Sequence, residues 1–140
     1  MLLDAGIRSF VNLTEERDPL DRYDDITREE AGKRGIDVRY LRMGVRDMHI
    51  PSREQMSAIL DHIDAEVAAG RRVYVHCWGG VGRTGTVVGC HLVRGGCSGA
   101  AALDRVAELW LTMPAEKRRS FPASPQTPRQ RAFVRQWKER

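Results

Sequence analysis

The sequence predicts an α/β fold, in which a single domain over residues 1–140 has a mostly parallel central sheet flanked by helices. Of the 140 residues, 41% are hydrophobic and 30% charged, which is typical of one globular domain. Three short segments are rich in β-favouring residues, and a long amphipathic helix separates two of them. A strand, a helix of that length and another strand form a crossover, which joins parallel strands.

Three segments of the chain are predicted to form strands. Residues 7–13 (IRSFVNL) form a β-favouring run after Gly6, and residues 37–43 (DVRYLRM) alternate polar and apolar side chains, as a half-buried strand does. Residues 72–77 (RVYVHC) give the strongest signal, because the run VYV predicts a central strand that is covered on both faces.

The clearest helix covers residues 52–69. Ser52 and Gln55 form a capping box at its start, and Gly70 ends it. An apolar stripe at helical spacing should face the core, and its members are Met56, Ile59, Leu60, Ile63 and Val67.

Similar signals predict further helices at about residues 27–34, 83–94, 98–112 and 128–139. The last has Thr127 as its cap and Pro128 at the first helical position, and Gln130 completes a second capping box. Residues 113–125 contain three prolines and predict an irregular surface loop.

The net charge of +4 is unevenly distributed along the chain. Residues 111–140 hold eight basic and two acidic side chains, whereas residues 1–110 hold 15 basic and 17 acidic ones. Attraction for anions should therefore be strongest near the C-terminal end, which favours an anionic substrate. We expect no nucleic-acid partner, and the sequence leaves the oligomeric state open.

Cysteine, histidine and apolar patterns set further expectations. Three cysteines without a CxxC pair are typical of a reducing compartment, so we expect a cytoplasmic protein. The four histidines have no metal-binding spacing, and we expect neither a metal nor a cofactor. The apolar runs are too short to span a membrane and no signal-peptide core is present, so no membrane insertion is expected.

Residues 76–85 (HCWGGVGRTG) contain the candidate nucleophile and the predicted anion-binding loop. They follow the strongest strand and lead into a helix, whose N-terminus offers unpaired N–H groups to an anion. The glycines allow successive amides to point inward and cradle a tetrahedral oxyanion. The predicted phosphate-binding loop consists of Cys77, Trp78, Gly79, Gly80, Val81, Gly82 and Arg83.

Three side chains of this segment supply the parts of a covalent phosphoryl transfer. Amides, the helix dipole and a nearby cation stabilise a thiolate, so we expect Cys77 to be ionised at neutral pH. Arg83 can grip two phosphate oxygens with its planar fork, and Thr84 can donate its hydroxyl to the sulfur. These parts suit a cysteinyl-phosphate intermediate.

The pattern HCxxGxGRT after a strand resembles the signature of cysteine-dependent protein tyrosine phosphatases, especially the small dual-specificity-like branch. The resemblance implies a protein tyrosine phosphatase-like fold and phosphomonoesterase activity, with Cys77 as nucleophile and His76 in support. Members commonly have another strand before the first one, and we expect that strand to be absent here.

The resemblance also implies an acid on a separate upstream loop that is closely followed by a proline. Asp47 in RMGVRDMHIPS stands at the matching place, as the general acid and base. The pattern QTxxQ resembles the loop whose glutamine places the attacking water, so Gln126 or Gln130 is a candidate. The capping box also accounts for Gln130, and a solvent-facing turn accounts for Gln126.

The sequence leaves more than one class of substrate open. The uncharged loop at residues 78–82 favours a phosphorylated protein over highly phosphorylated inositols. A small phosphate ester or phosphoinositide is an alternative, and so is a phosphoprotein-binding module without turnover, although the full set of catalytic residue types opposes the module. Trp78 is either an aromatic wall of the pocket or packed on a neighbouring helix. Cys90 either packs in the core or pairs with an oxidised Cys77.

Overall fold

The computed structural model describes residues 2–18, 23–79 and 81–139. It confirms the α/β class, with a parallel sheet and surrounding helices. In chain order the elements are β1 (Ile7–Asn12), α1 (Asp24–Lys33), β2 (Arg39–Arg42), α2 (Arg53–Ala68), β3 (Arg72–His76), α3 (Gly82–Arg94), α4 (Gly99–Trp110), α5 (Ala115–Ser120) and α6 (Pro128–Arg135).

The described sheet has the strand order β2-β1-β3, and both pairings are parallel. The prediction that residues 72–77 form a central strand covered on both faces is wrong for this sheet, since β3 lies at its edge. Val73 and Val75 pack against the main core, whereas Tyr74 lies on the opposite face and is 36% exposed. The VYV run is therefore an alternation, because the tyrosine ring rests on Phe10 while part of it contacts solvent.

Two apolar clusters lie on opposite faces of the sheet. The larger one packs α2, α3, α4 and α6 against the sheet, and it includes Val11, Met56 and Val134. The smaller one lies under α1 and is centred on Leu3, Phe10 and Ala31. The carboxyl ends of the three parallel strands therefore meet at one edge between two helical layers, which is where α/β folds bind ligands.

Helix α2 confirms most of its predicted pattern. Ser52 and Gln55 make both hydrogen bonds of the capping box, and the first four apolar positions are buried. The prediction that Val67 faces the core is wrong, because Val67 is 57% exposed and its neighbour Glu66 is buried instead. Arg39 and Arg71 bind the Glu66 carboxylate at 2.9 and 3.2 Å, which draws that side of the helix towards the sheet.

The other helices differ from the predictions mainly at their ends. Helix α1 begins at Asp24 rather than near residue 27, and α6 ends at Arg135 rather than near residue 139. The prediction of an irregular loop over residues 113–125 is wrong in its middle, where α5 forms. Pro114 precedes α5, and its sequence AEKRRS is rich in helix-favouring residues. Within the described residues, no helix has the length and apolarity that crossing a membrane requires.

Candidate active site

The candidate active site begins where β3 ends. Cys77 follows the strand and is 7% exposed. Thr84, in the first turn of α3, donates its hydroxyl to the Cys77 sulfur, with 3.1 Å between Oγ1 and Sγ. The first turn of a helix carries unpaired amides and the positive end of the dipole, so this position suits an anion. The predicted loop residue Gly80 lies outside the described residues.

A small cavity of about 80 Å³ opens at this loop. Cys77, Arg83 and Asp47 all line it, so the structure brings together three residues that the sequence analysis assigned to the chemistry. The remaining lining residues are Met48, Trp78, Gly79, Val81, Gly82, Phe121 and Gln126. A water molecule takes up about 30 Å³ of the liquid, so a cavity of this size suits a small anion.

The Arg83 guanidinium is buried in the cavity wall and contacts two carboxylates. Its Nη1 donates to Asp18 Oδ2 at 3.0 Å and to the Val45 carbonyl oxygen at 2.9 Å. Its Nη2 lies 3.4 Å from Asp18 Oδ1 and 3.3 Å from Asp47 Oδ1. The side chain of Arg83 is 1% exposed, so these contacts hold it in one orientation.

Asp18 is a site residue that the sequence analysis missed. It follows β1 in a polar segment, and only the tertiary structure brings it to Arg83, 65 positions further along the chain. Burial opposes ionisation of Asp18, but hydrogen bonds from Arg83 and from the Glu15 amide outweigh burial and hold the Asp18 pKa below its ordinary value. The carboxylate is therefore ionised at neutral pH, opposite the guanidinium.

Asp47 lies on the loop between β2 and α2. Its side chain is 58% exposed, and its Oδ1 accepts the Met48 N–H at 2.9 Å as well as approaching Arg83. Met48 adopts a left-handed conformation with φ +66°, which is unusual for a residue other than glycine. His49 lies exposed beside it, with Nδ1 2.8 Å from the Asp47 carbonyl oxygen. This sharp turn presents the carboxylate to the cavity.

His76 supports the loop from behind. Its Nδ1 lies 3.1 Å from the Cys77 carbonyl oxygen, and its Nε2 bonds to the Tyr23 hydroxyl. Burial lowers the pKa of His76, so the ring is neutral at neutral pH. Only an Nδ1–H can donate to a carbonyl, so Nε2 accepts from Tyr23. Burial raises the pKa of Tyr23, which keeps its hydroxyl protonated for this bond.

The two candidate glutamines occupy different environments. Gln126 lines the small cavity. Gln130 is fully buried, its Oε1 accepts the Thr127 N–H at 3.0 Å, and its Nε2 donates to the His49 carbonyl oxygen at 3.3 Å. Gln130 therefore ties the start of α6 to the Asp47 loop, whereas Gln126 is placed to contact a molecule in the cavity.

Trp78 stands between two cavities. It is 56% exposed and lines both the small cavity and a larger one of about 610 Å³. The larger cavity lies on the α1 side of the sheet, with Phe10, Tyr23 and Tyr74 in its wall. Of the two interpretations of Trp78, this exposure fits an aromatic wall of the pocket rather than packing on a neighbouring helix.

The remaining cysteines lie away from the cavity. Cys90 is fully buried in the main core, and burial raises its pKa to about 12. Its environment therefore corresponds to the packing interpretation, because a thiol this hard to ionise reacts slowly. Cys97 is exposed beyond α3. Across residues 2–18, 23–79 and 81–139, no cluster of three or more His, Cys, Asp or Glu side chains is arranged to hold a metal ion.

The chain belongs to the cysteine-dependent protein tyrosine phosphatase superfamily, in its small dual-specificity-like branch. A family model described as "Tc-R-P: Polymorphic toxin system, DSP-PTPase phosphatase" matches residues 1–97, well over half of the chain, and the chain belongs to this family.

Similar proteins extend beyond this family. An uncharacterised protein of Methanocaldococcus jannaschii is 50% identical over 44 residues, 31% of this chain and 30% of that protein. The phosphatidylinositol 3,4,5-trisphosphate 3-phosphatase and protein-tyrosine-phosphatase PTEN1 of Arabidopsis thaliana is 30% identical over 95 residues, 66% of this chain and 21% of that protein. The matches thus span less than a third of either relative. The crystal structure of Tk-PTP in the active form has a TM-score of 0.66 at 29% identity, covering 99% of this chain and 82% of that chain.

Proposed function

We propose that the chain hydrolyses phosphotyrosine in proteins, and also phosphoserine and phosphothreonine, through a cysteinyl-phosphate intermediate. The observation that carries this proposal is the convergence of Cys77, Arg83 and Asp47 on one cavity of about 80 Å³. A nucleophile, a bidentate cation and a carboxyl group are the parts that this two-step transfer needs.

In the first step the Cys77 thiolate attacks phosphorus, a sulfur–phosphorus bond forms and the phosphorus–oxygen bond to the leaving group breaks. Protonated Asp47 gives its proton to the departing oxygen, which leaves as a neutral alcohol or phenol. Arg83 and the amides at the start of α3 balance the charge on the phosphoryl oxygens as the transition state forms. Arg83 is buried, and its charge is correspondingly poorly screened by water.

In the second step water attacks the cysteinyl-phosphate, the sulfur–phosphorus bond breaks and inorganic phosphate forms. The Asp47 carboxylate takes a proton from the water, which restores the acid for the next cycle. Gln126 orients that water from the cavity wall. The Thr84 hydroxyl, 3.1 Å from the sulfur, stabilises the thiolate that leaves.

The rim of the cavity favours an aryl phosphate. Met48, Trp78 and Phe121 line it, and Met48 and Trp78 are 47% and 56% exposed. Asp47 and Arg83 are the two charged side chains among its lining residues. A substrate with one phosphate on an aromatic ring matches these surroundings, whereas a second phosphate at the same rim finds no second cation in this lining.

The proposal is tested with kcat/KM for a panel of phosphotyrosine peptides, phosphothreonine peptides, phosphoinositides and mononucleotides, each with chelator present. We expect phosphotyrosine peptides to be the best substrates. Cys77→Ser should abolish turnover, and Cys97→Ser, at an exposed cysteine away from the cavity, is the matched control that should retain it. Activity in Cys77→Ser would refute the mechanism, and a preference for phosphoinositides or nucleotides would refute the substrate assignment.

A further inference from the structure

The N–H donors of the Arg83 guanidinium differ in their hydrogen-bond partners. Both Nη1 contacts are to fixed protein acceptors, Asp18 and the Val45 carbonyl. Nη2 is divided between Asp18 and the exposed carboxylate of Asp47. The Nε–H is buried and has no hydrogen-bond partner among the described residues. Because a buried donor without a partner is costly, this edge suits an acceptor that a ligand brings.

Asp18 therefore occupies the Nη1–Nη2 edge of the guanidinium, and among the described residues only Asp47 approaches the Nε–Nη2 edge. The two oxygens of Asp18 face Nη1 and Nη2, at 3.0 and 3.4 Å. The opposite edge carries Nε and the second Nη2 hydrogen, which Asp47 Oδ1 now approaches at 3.3 Å. Two phosphoryl oxygens can take these two donors once Asp47 turns to the leaving group.

Asp18 is itself held firmly. Its side chain is 7% exposed, and its Oδ2 accepts the Glu15 amide at 2.6 Å. Thr14, which precedes Glu15, is bonded to β2, because Arg42 donates to the Thr14 carbonyl oxygen at 2.9 Å and to the Thr14 hydroxyl at 3.1 Å. The ion pair thus connects Arg83 to the sheet rather than to a free loop, and it keeps the Asp18 pKa low.

We propose that Asp18 is a positioning residue, which orients the Arg83 guanidinium so that its Nε–Nη2 edge faces the substrate phosphate. This inference rests on the proposed function, because it assigns that edge to the phosphoryl group. Asp18 touches no reacting atom and acts through Arg83.

The test compares Asp18→Asn, Asp18→Glu and the control Asp25→Asn, whose side chain is 93% exposed on α1. Substrate is p-nitrophenyl phosphate, and inorganic phosphate is the competitive inhibitor. Since misplacement of about 1 Å can cost about 100-fold, we expect Asp18→Asn to lower kcat/KM about 10- to 100-fold and to weaken phosphate inhibition about tenfold. Asp18→Glu, which keeps the charge, should recover part of both effects, and Asp25→Asn should match the wild type.

A merely structural role would lower the melting temperature without moving these constants, and wild-type values of both in folded Asp18→Asn would overturn the inference. If Asp18→Asn does not fold, Asp18→Glu replaces it: a weaker phosphate inhibition than in the wild type supports the inference, and an unchanged one overturns it.

A measurement without turnover separates this inference from the proposed function. In a Cys97→Ser background, Cys77 is alkylated by the anion iodoacetate and by neutral iodoacetamide. The ratio of the two rates reports how well the site attracts an anion. We expect Asp18→Glu, which keeps the negative charge but displaces the carboxylate, to lower this ratio, and an unchanged ratio would overturn the inference even if the wild type hydrolyses no phosphate ester. A wild type that hydrolyses no phosphate ester would refute the proposed function but not this inference.

Discussion

Replacing Gly82 with alanine should destabilise the protein and disturb the Asp47 loop together. A Cβ atom on Gly82 would lie 2.8 Å from both Nε2 and Oε1 of Gln130 and 3.2 Å from its Cδ. The end of a glutamine side chain normally moves aside easily. Here it is fully buried and bonded to Thr127 and His49, so it moves only by giving up those bonds.

The size of the effect follows from these contacts. Overpacking costs about 1–3 kcal/mol, and loss of part of the Thr127 capping box adds about 0.5–2 kcal/mol. Alanine at a helical position recovers about 0.5–1 kcal/mol relative to glycine. We therefore expect Gly82→Ala to lower the free energy of unfolding by about 0.5–4.5 kcal/mol. It should also lower kcat, because the loop of Asp47 loses its tie to α6.

Urea denaturation and steady-state kinetics measure both effects. Gly32→Ala is the matched control, because nothing lies within 4 Å of a Cβ there, and it should be neutral or slightly stabilising. In the double variant with Gln130→Ala the clash disappears, so the two changes should cost at least about 1 kcal/mol less together than their sum. Equal stability of Gly82→Ala and Gly32→Ala, or additive costs in the double variant, would refute the reasoning.

Three further predictions concern the site. Burial lowers the pKa of His76 below its ordinary 6.5, so the unfolded chain takes up a proton before the folded protein does as the pH falls below 6.5. The free energy of unfolding should therefore decline below this pH. Urea midpoints measured between pH 7.5 and 5 should fall less steeply in His76→Asn than in the wild type. Trp78→Ala should lower kcat/KM for phosphotyrosine peptides about two- to tenfold while sparing phosphothreonine peptides, and an equal loss on both would count against an aromatic wall. Gln126→Ala should slow hydrolysis of the intermediate, seen as a pre-steady-state burst of p-nitrophenol, whereas a lower rate of the burst itself would place Gln126 in the first step.

Features that depend on near neighbours in the chain could be predicted from the sequence. The capping boxes of α2 and α6 join residues three positions apart, and both form as expected. Cys77 and Thr84 belong to one strand–loop–helix segment, and their hydroxyl–sulfur bond follows from that connection. The backbone between such residues has few conformations, so residue types and spacing suffice.

Long-range contacts decided what the sequence could not. The position of β3 at the sheet edge depends on which strands pair. The burial of Glu66 in place of Val67 on α2 depends on its ion pair with Arg39 of strand β2. Likewise, the QTxxQ pattern makes both Gln126 and Gln130 candidates, and only the structure shows that Gln130 donates to the His49 carbonyl oxygen, 81 positions away.

The sequence by itself determined the α/β class, the segment proposed to bind phosphate and the residue types that the proposed cysteinyl-phosphate mechanism uses, because these follow from local periodicity and from the motif at residues 76–85. Only the tertiary structure showed Asp18 against Arg83 and Tyr23 against His76. A buried cation or imidazole requires partners, and folding selects them from whichever chain segments come close in space, independently of their separation along the chain.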